Sequence, residues 1–140
     1  MQTLLHTLRQ TVGAAHVFTD GELSAWEQDW RKRERGKALA VIRPASTQEV
    51  AAVVKACAEF RAAHPDSAVS IVPQGGNTGL SVGSTPDQSG QQIVLSLQRM
   101  NALRELDRAN LTMTVEAGCI LQSVQQEAEE SDLLFPLSLA

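Results

Sequence analysis

Ala68-Val69-Ser70-Ile71-Val72-Pro73-Gln74-Gly75-Gly76-Asn77-Thr78-Gly79-Leu80 is the stretch on which the reading of this chain turns. A short β-branched run ends at proline, and a polar, glycine-rich loop follows at once. Glycines allow a backbone to turn successive N–H groups toward an anion with no Cβ in the way. Asn77 and Thr78 add side-chain donors at the same place. No Lys-Ser or Lys-Thr pair follows the glycines, so the loop is not of the Walker type. The spacing Gly75, Gly76, Gly79, Gly83 does not satisfy G-x-G-x-x-G, and the next strand ends Leu97-Gln98-Arg99 without the acidic residue that would hold a ribose. By spacing alone, two readings are open: a glycine-rich surface turn, or a loop that grips the pyrophosphate of a dinucleotide.

Upstream, the pattern is strand, helix, strand. Leu39–Ile42 is a short apolar run closed by Arg43-Pro44. Ser46 and Glu49 have capping-box spacing, and Val50, Val53, Val54, Cys57 and Phe60 follow on a helical stripe that Pro65 brings to an end near His64. Such a unit predicts a parallel strand pair with a right-handed crossover. Farther upstream, Leu4, Leu5, Leu8 and Val12 mark a helix stopped by Gly13. Thr19 and Glu22 are spaced to cap another turn or two reaching Trp30. Trp26 and Trp30 would share its face, as core anchors first and as ligand-stacking groups second. Arg31-Lys32-Arg33-Glu34-Arg35-Gly36-Lys37 reads as a solvated basic loop, with the sharper alternative that one arginine reaches an anionic ligand.

Downstream, Thr85–Gly90 is a turn-rich excursion and Gln92–Leu97 a third strand. Arg104–Arg108 reads as a charged link. Leu111, Met113 and Val115 alternate with Thr112 and Thr114, as in a half-exposed strand. Residues 120–131 have helical spacing with Leu121, Val124 and Ala128 inward. The chain closes on Leu133-Leu134-Phe135-Pro136-Leu137-Ser138-Leu139-Ala140, an extended apolar segment. Complete domains usually end in polar, loosely held residues, so this ending reads as the N-terminal piece of a longer protein.

The whole-chain numbers limit the function. At 140 residues the chain holds one domain with a real core, and 43% hydrophobic with 20% charged residues is ordinary for a globular protein. A net charge of −4 and the absence of tyrosine disfavour nucleic-acid binding, leaving a module built on Arg31–Lys37 as a distant reading. Cys57 and Cys119 lie in no metal-like spacing. A free, buried Cys57 fits a reducing compartment, and with neither a membrane-length apolar run nor a leader pattern the expected location is the cytoplasm.

Five stretches together resemble the FAD-binding domain of the vanillyl-alcohol-oxidase, or PCMH, type, and within it the D-2-hydroxyacid dehydrogenases of the glycolate oxidase, D-lactate dehydrogenase and D-2-hydroxyglutarate dehydrogenase group. Ala40–Val50 is similar to that family's opening strand and helix, and Val72–Leu80 to its pyrophosphate loop. Leu95–Asn101 is similar to the following strand and turn. Thr114–Cys119 with Phe135–Ala140 is similar to the approach to the flavin ring. The resemblance implies an α+β fold: residues 1–35 as an N-terminal helical extension, then an incomplete FAD-binding domain over 36–140, with a small parallel βαβ lobe and the start of a mostly antiparallel one.

It also implies cofactor-binding residues Pro73, Gly75, Gly76, Asn77, Thr78, Gly79, Leu80, Met100, Asn101, Gly118, Pro136 and Ser138, with core packing nearly as good an account of Met100. Some members of the family attach flavin through a histidine in the glycine loop. Asn77 stands at that place here, and His6, His16 and His64 lie elsewhere, so non-covalent FAD is expected. The implied activity is oxidation of a D-2-hydroxy acid (lactate-, glycolate- or 2-hydroxyglutarate-like) by hydride transfer to FAD, with an unidentified electron acceptor. The substrate cap, the catalytic base and any metal lie beyond residue 140, so no catalytic residue and no metal ligand are expected on this chain. The competing expectations are another oxidase or synthase on the same scaffold, and a flavin-free interaction module that self-associates through the apolar C-terminal edge.

Overall fold

The computed structural model describes residues 1–138; Leu139 and Ala140, at the end of the stretch similar to the flavin approach, lie outside the described residues. Its elements are α1 (Gln2–Val12), β1 (Val17–Phe18), a one-turn α2 (Ser24–Glu27), β2 (Ala38–Ile42), α3 (Thr47–Ala63), β3 (Ser70–Gln74), β4 (Gln92–Ser96), β5 (Leu103–Asp107), β6 (Thr112–Val115) and α4 (Leu121–Glu129). The fold is α+β: a four-stranded sheet and a separate antiparallel pair, β5–β6.

Sheet order is β1-β2-β4-β3, with β2, β4 and β3 mutually parallel and β1 antiparallel at one edge. The parallel orientation of β2 and β3 follows the strand–helix–strand pattern, but the two do not touch. β4 runs between them, Ile93 level with Ala40 on one side and Ile71 on the other. A crossover helix fixes strand direction and leaves room for a later strand to enter the gap. β4 fills it because its run Ile93-Val94-Leu95 is apolar on both faces, as a central strand requires.

The two faces are covered differently. Ala40, Ile42, Ile93 and Leu95 point to α1 and α3, meeting Leu4, Leu5, Leu8, Val53, Cys57 and Phe60. Val41 and Val94 point the other way, to Leu23, Phe18 and Trp26. The period-two alternation of the strands thus feeds two layers. Burying one Leu such as Leu8, fully enclosed here, stabilises the fold by about 2 kcal/mol. Within residues 1–35, α1 and the α2 region pack on the sheet, and β1 pairs with β2 at its edge.

Helix α3 is capped as its sequence predicts. Ser46 Oγ accepts from Glu49 N at 3.1 Å, and the Glu49 carboxylate reaches back to Ala45 N at 2.7 Å. Val54 falls outside the buried stripe, at 45% exposure. The Thr19–Glu22 cap does not form. The short helix begins after Leu23, and Glu22 Oε1 instead accepts from Ser24 N. Leu111 leaves the expected strand face: it occupies a left-handed turn at φ +54 and is 73% exposed. Arg104–Arg108, read as a link, is mostly the strand β5, whose alternation is hidden by its charges.

Candidate cofactor site

The parallel strands β3 and β4 end side by side at Gln74 and Ser96, and the glycine loop leaves from that edge. In open sheets with parallel strands, the carboxyl ends are where ligands bind. Leu97 N donates to Gln74 O at 2.9 Å, Met100 N to Leu97 O at 2.9 Å, and Gly118 N to Met100 O at 2.8 Å. These bonds bring three separate stretches together: the start of the glycine loop, the Leu97–Met100 turn, and the Ala117-Gly118 turn after β6. Gly75 completes the convergence, because a Cβ built on it would stand 3.9 Å from the Ala117 carbonyl.

The loop is held from beneath. Gln74 is buried, and its Nε2 donates to Trp26 O at 2.9 Å and Ser84 O at 2.8 Å. Asn77 sits in the left-handed region at φ +55, a conformation that Asn tolerates better than most residues. Its Nδ2 donates to Ala25 O at 3.1 Å and Gln28 O at 2.8 Å, and its Oδ1 accepts from Ser84 Oγ at 3.1 Å. The expectation that the Asn77 side chain is a donor to the anion is therefore corrected. Both amide hydrogens are spent on carbonyls of the α2 turn, and the side chain is a tether. Nearby Val82, β-branched, is also held at positive φ, +64. Such strain is stored at ligand clamps and switch regions.

What the tether leaves open is the main chain. The N–H groups of Gly75, Gly76, Asn77, Thr78, Gly79 and Leu80 have no acceptor among the described residues. The glycines themselves have no internal reason to be glycine. None of Gly75, Gly76 and Gly79 has positive φ, and a Cβ on each would meet nothing closer than 3.9 Å. An unpaired array of donors beside space that a Cβ would fill is the arrangement a pyrophosphate requires, so the residues present fit the phosphate part of a dinucleotide. Gly118 and Gly36 are different. A Cβ on Gly118 would stand 1.9 Å from Leu97 O, and one on Gly36 1.7 Å from Pro86 O, so close backbone packing dictates both.

The remaining predicted site residues divide. Pro73, Thr78, Leu80 and Asn101 are exposed on or next to the loop edge. Met100 is 6% exposed, and its side chain belongs to the interior. Pro136 and Ser138 are exposed on a segment tied to α4 through Gln125 Nε2 and Leu137 O, 2.8 Å apart, with no hydrogen bond to the loop among the described residues.

Sequence reasoning missed Asp29, which organises the basic loop. Its carboxylate accepts from Arg31 N at 3.0 Å and from Arg33 N and Glu34 N at 2.7 Å each. Those N–H groups, Glu34's foremost, hold its carboxyl below the usual carboxylate range. An Asp whose side chain serves the N–H two residues on is the available signal. Trp30, read first as a core anchor, is carried outward by this loop and is 64% exposed. At the other end of the site, Glu116 is held below its ordinary value by Ala102 N and then by Arg104, whose Nη2 is 3.0 Å away.

Among known proteins, the profile described as an FAD binding domain matches residues 38–140. The chain belongs to this FAD-binding domain family. Within it, the chain is 36% identical over 136 residues to a D-2-hydroxyglutarate dehydrogenase of Xanthomonas citri pv. viticola, covering 96% of this chain and 27% of that protein. It is 35% identical over 131 residues to the D-2-hydroxyglutarate dehydrogenase, mitochondrial, of Bos taurus, covering 93% of this chain and 22% of that one. The solved structure of p-cresol methylhydroxylase with substrate bound superposes with a TM-score of 0.75 at 20% identity, over 99% of this chain and 26% of that one, which shows the shared PCMH-type fold. The chain thus spans about a quarter of the length of these relatives.

Proposed function

We propose that this chain is the cofactor-holding part of a flavoprotein dehydrogenase that oxidises a D-2-hydroxy acid, with FAD bound non-covalently. The observation that carries the proposal is the row of unpaired N–H groups from Gly75 to Leu80, in a loop whose glycines the fold itself does not demand. Those N–H groups would hold the pyrophosphate, and Ala117 and Gly118 stand where the loop meets the second sheet. When bound, FAD supplies the ring that accepts a hydride. The chain's own task is to fix that cofactor in one position and to keep the phosphates in a preorganised field.

The substrate class rests on the two dehydrogenase relatives, both above 30% identity. Non-covalent binding is supported by Asn77 at the place where some members carry a flavin-linking histidine, and by its engagement with Ala25 and Gln28. His64 closes α3, outside the loop, stacked on Phe60 with Nδ1 against Phe60 O. Cys57 and Cys119 are both free, which suits a reducing compartment and supports the cytoplasmic reading. No helix among the described residues is long and apolar enough to cross a membrane. The substrate pocket, catalytic base and electron acceptor are assigned to the part of the relatives' length that this chain does not span.

The test is flavin retention. The chain is purified, supplied with FAD, desalted, and its visible absorbance read before and after acid denaturation. Flavin that is retained and then released into the supernatant supports the proposal. Flavin that stays with the precipitate overturns the non-covalent claim, and failure to bind added FAD both in this chain and in a form extended to the relatives' full length overturns the cofactor claim.

A further inference from the structure

The family profile begins at residue 38, yet the glycine loop is bolted to residues well before it. Gln28, Asp29, Trp30 and Lys32 line one groove of about 590 Å³ together with Gly76 and Asn77. One wall of this groove is the loop with the unpaired N–H groups. The other is a turn made rigid by the three N–H bonds to the Asp29 carboxylate and by Lys32 N donating to Asp29 O at 2.9 Å. The Asp29 carboxylate is taken up by those bonds, and the Lys32 ammonium is the cation that lines the groove. It has no carboxylate within 4.0 Å among the described residues. Next to it the Trp30 indole is exposed on a turn that cannot collapse to hide it.

An indole, an ammonium and the Gly76–Asn77 part of the unpaired N–H row along one groove suit a ligand with a flat ring joined to phosphates. We propose that the Asp29 turn is the second wall of the cofactor site, with Lys32 set against the phosphates and Trp30 stacking the adenine. Adenine is chosen over the flavin ring because Gly75 faces Ala117 and the second sheet, whereas Gly76 and Asn77 face the groove that Trp30 lines. The proposal rests on the FAD reading above and extends the site to residues outside the family profile.

The experiment titrates FAD, ADP and FMN into the chain by calorimetry and by quenching of tryptophan fluorescence, for the wild type and for Trp30→Ala, Trp30→Phe, Lys32→Ala and Lys32→Glu. Base stacking on an aromatic side chain is worth enough that Trp30→Ala should raise the Kd for FAD and ADP roughly tenfold. It should leave FMN unchanged, and Trp30→Phe should restore most of the loss. Lys32→Ala should weaken all three ligands, roughly tenfold at low salt and less at high salt, and Lys32→Glu more so. Melting temperatures of the ligand-free variants should match the wild type, both side chains being exposed. Wild-type binding of FAD with all variants unchanged overturns this inference and leaves the FAD reading standing. Loss of FMN rather than ADP binding in Trp30→Ala overturns the adenine assignment. Absence of FAD binding both in this wild-type chain and in its full-length form overturns both readings.

Discussion

The Asn77 side-chain amide donates to the Gln28 carbonyl at 2.8 Å, joining the glycine loop to a turn 49 positions earlier in the sequence. A second bond to Ala25 O shares the same Nδ2. Through this contact the α2 turn sets the shape of the loop, and the loop's own N–H groups stay unpaired.

Asn77→Asp replaces the donor with an oxygen facing two carbonyls. We expect it to destabilise the fold by about 1–3 kcal/mol, the cost of a broken, partly buried polar contact. Asn77→Gly keeps the left-handed backbone without strain but drops the tether, so its loss of stability should be smaller while flavin affinity still falls. Urea denaturation with parallel flavin titration checks both. Unchanged affinity in Asn77→Gly would show that the loop holds its shape without Gln28.

The glycines should separate by substitution. Gly75→Ala and Gly79→Ala place a methyl in open space at ordinary φ. Their stability should stay within about 0.5 kcal/mol of wild type, or rise slightly because the unfolded chain loses freedom. Their flavin affinity should drop by an order of magnitude or more. Gly118→Ala and Gly36→Ala drive a methyl into backbone, at 1.9 Å from Leu97 O and 1.7 Å from Pro86 O, and should be poorly folded with or without flavin. Thermal melts and binding isotherms of the four variants distinguish a cofactor glycine from a packing glycine.

Much of this arrangement was legible in the residues. The β3 run, the glycine loop, the capped α3 and the stripe Leu4, Leu5, Leu8, Val12 all obey local rules, and each forms where its pattern predicts. What the pattern did not carry is pairing and burial across distance. The adjacency of β2 to β4 depends on which apolar strand fills a gap, and β1 is two residues long, too short for any period to register. Charges on Arg104, Glu105 and Asp107 masked β5 because an edge-exposed pair tolerates them. In the site, the loop could be found but the tether could not: nothing in Asn77's neighbours announces a partner near residue 28. Trp30 looked like core because tryptophan usually is, and only the Asp29 turn explains why it is not.

Asp29 should shape the acid limb of stability. Its carboxyl is held below the ordinary Asp value of about 3.9. The folded state therefore binds its proton less readily than the unfolded state. The stabilising contribution is in place above that ordinary value and is lost as pH falls through the lower, folded one. Asp29→Asn removes the charge that the Arg31, Arg33 and Glu34 N–H groups share. The variant should be less stable near neutral pH and should lose less on acidification, so the two stability curves converge below pH about 4. Denaturant midpoints measured across that window test this, and parallel curves would show that the Asp29 charge is not what the loop is built on.

Gln74 is expected to give the opposite slope when made acidic. Its side chain is 1% exposed, and its Nε2 serves the carbonyls of Trp26 and Ser84 at once. Gln74→Glu puts an oxygen where both carbonyls need a donor, and burial disfavours the charged form, so its folded-state carboxyl should titrate above the ordinary Glu value of about 4.3. The folded state then holds the proton more tightly than the unfolded one. The variant should be at its most stable below that value, where the protonated carboxyl still donates to one carbonyl, and should weaken as pH rises through the folded value. By neutral pH the loss should reach about 3–5 kcal/mol, as for other uncompensated buried charges. Gln74→Leu leaves the same two carbonyls unpaired without a charge and should be destabilised with no such pH dependence. Urea midpoints from pH 4.5 to 8 separate the two variants. If Gln74→Glu is as stable as wild type at pH 8, water reaches Gln74, and the glycine loop does not rest on a dry support.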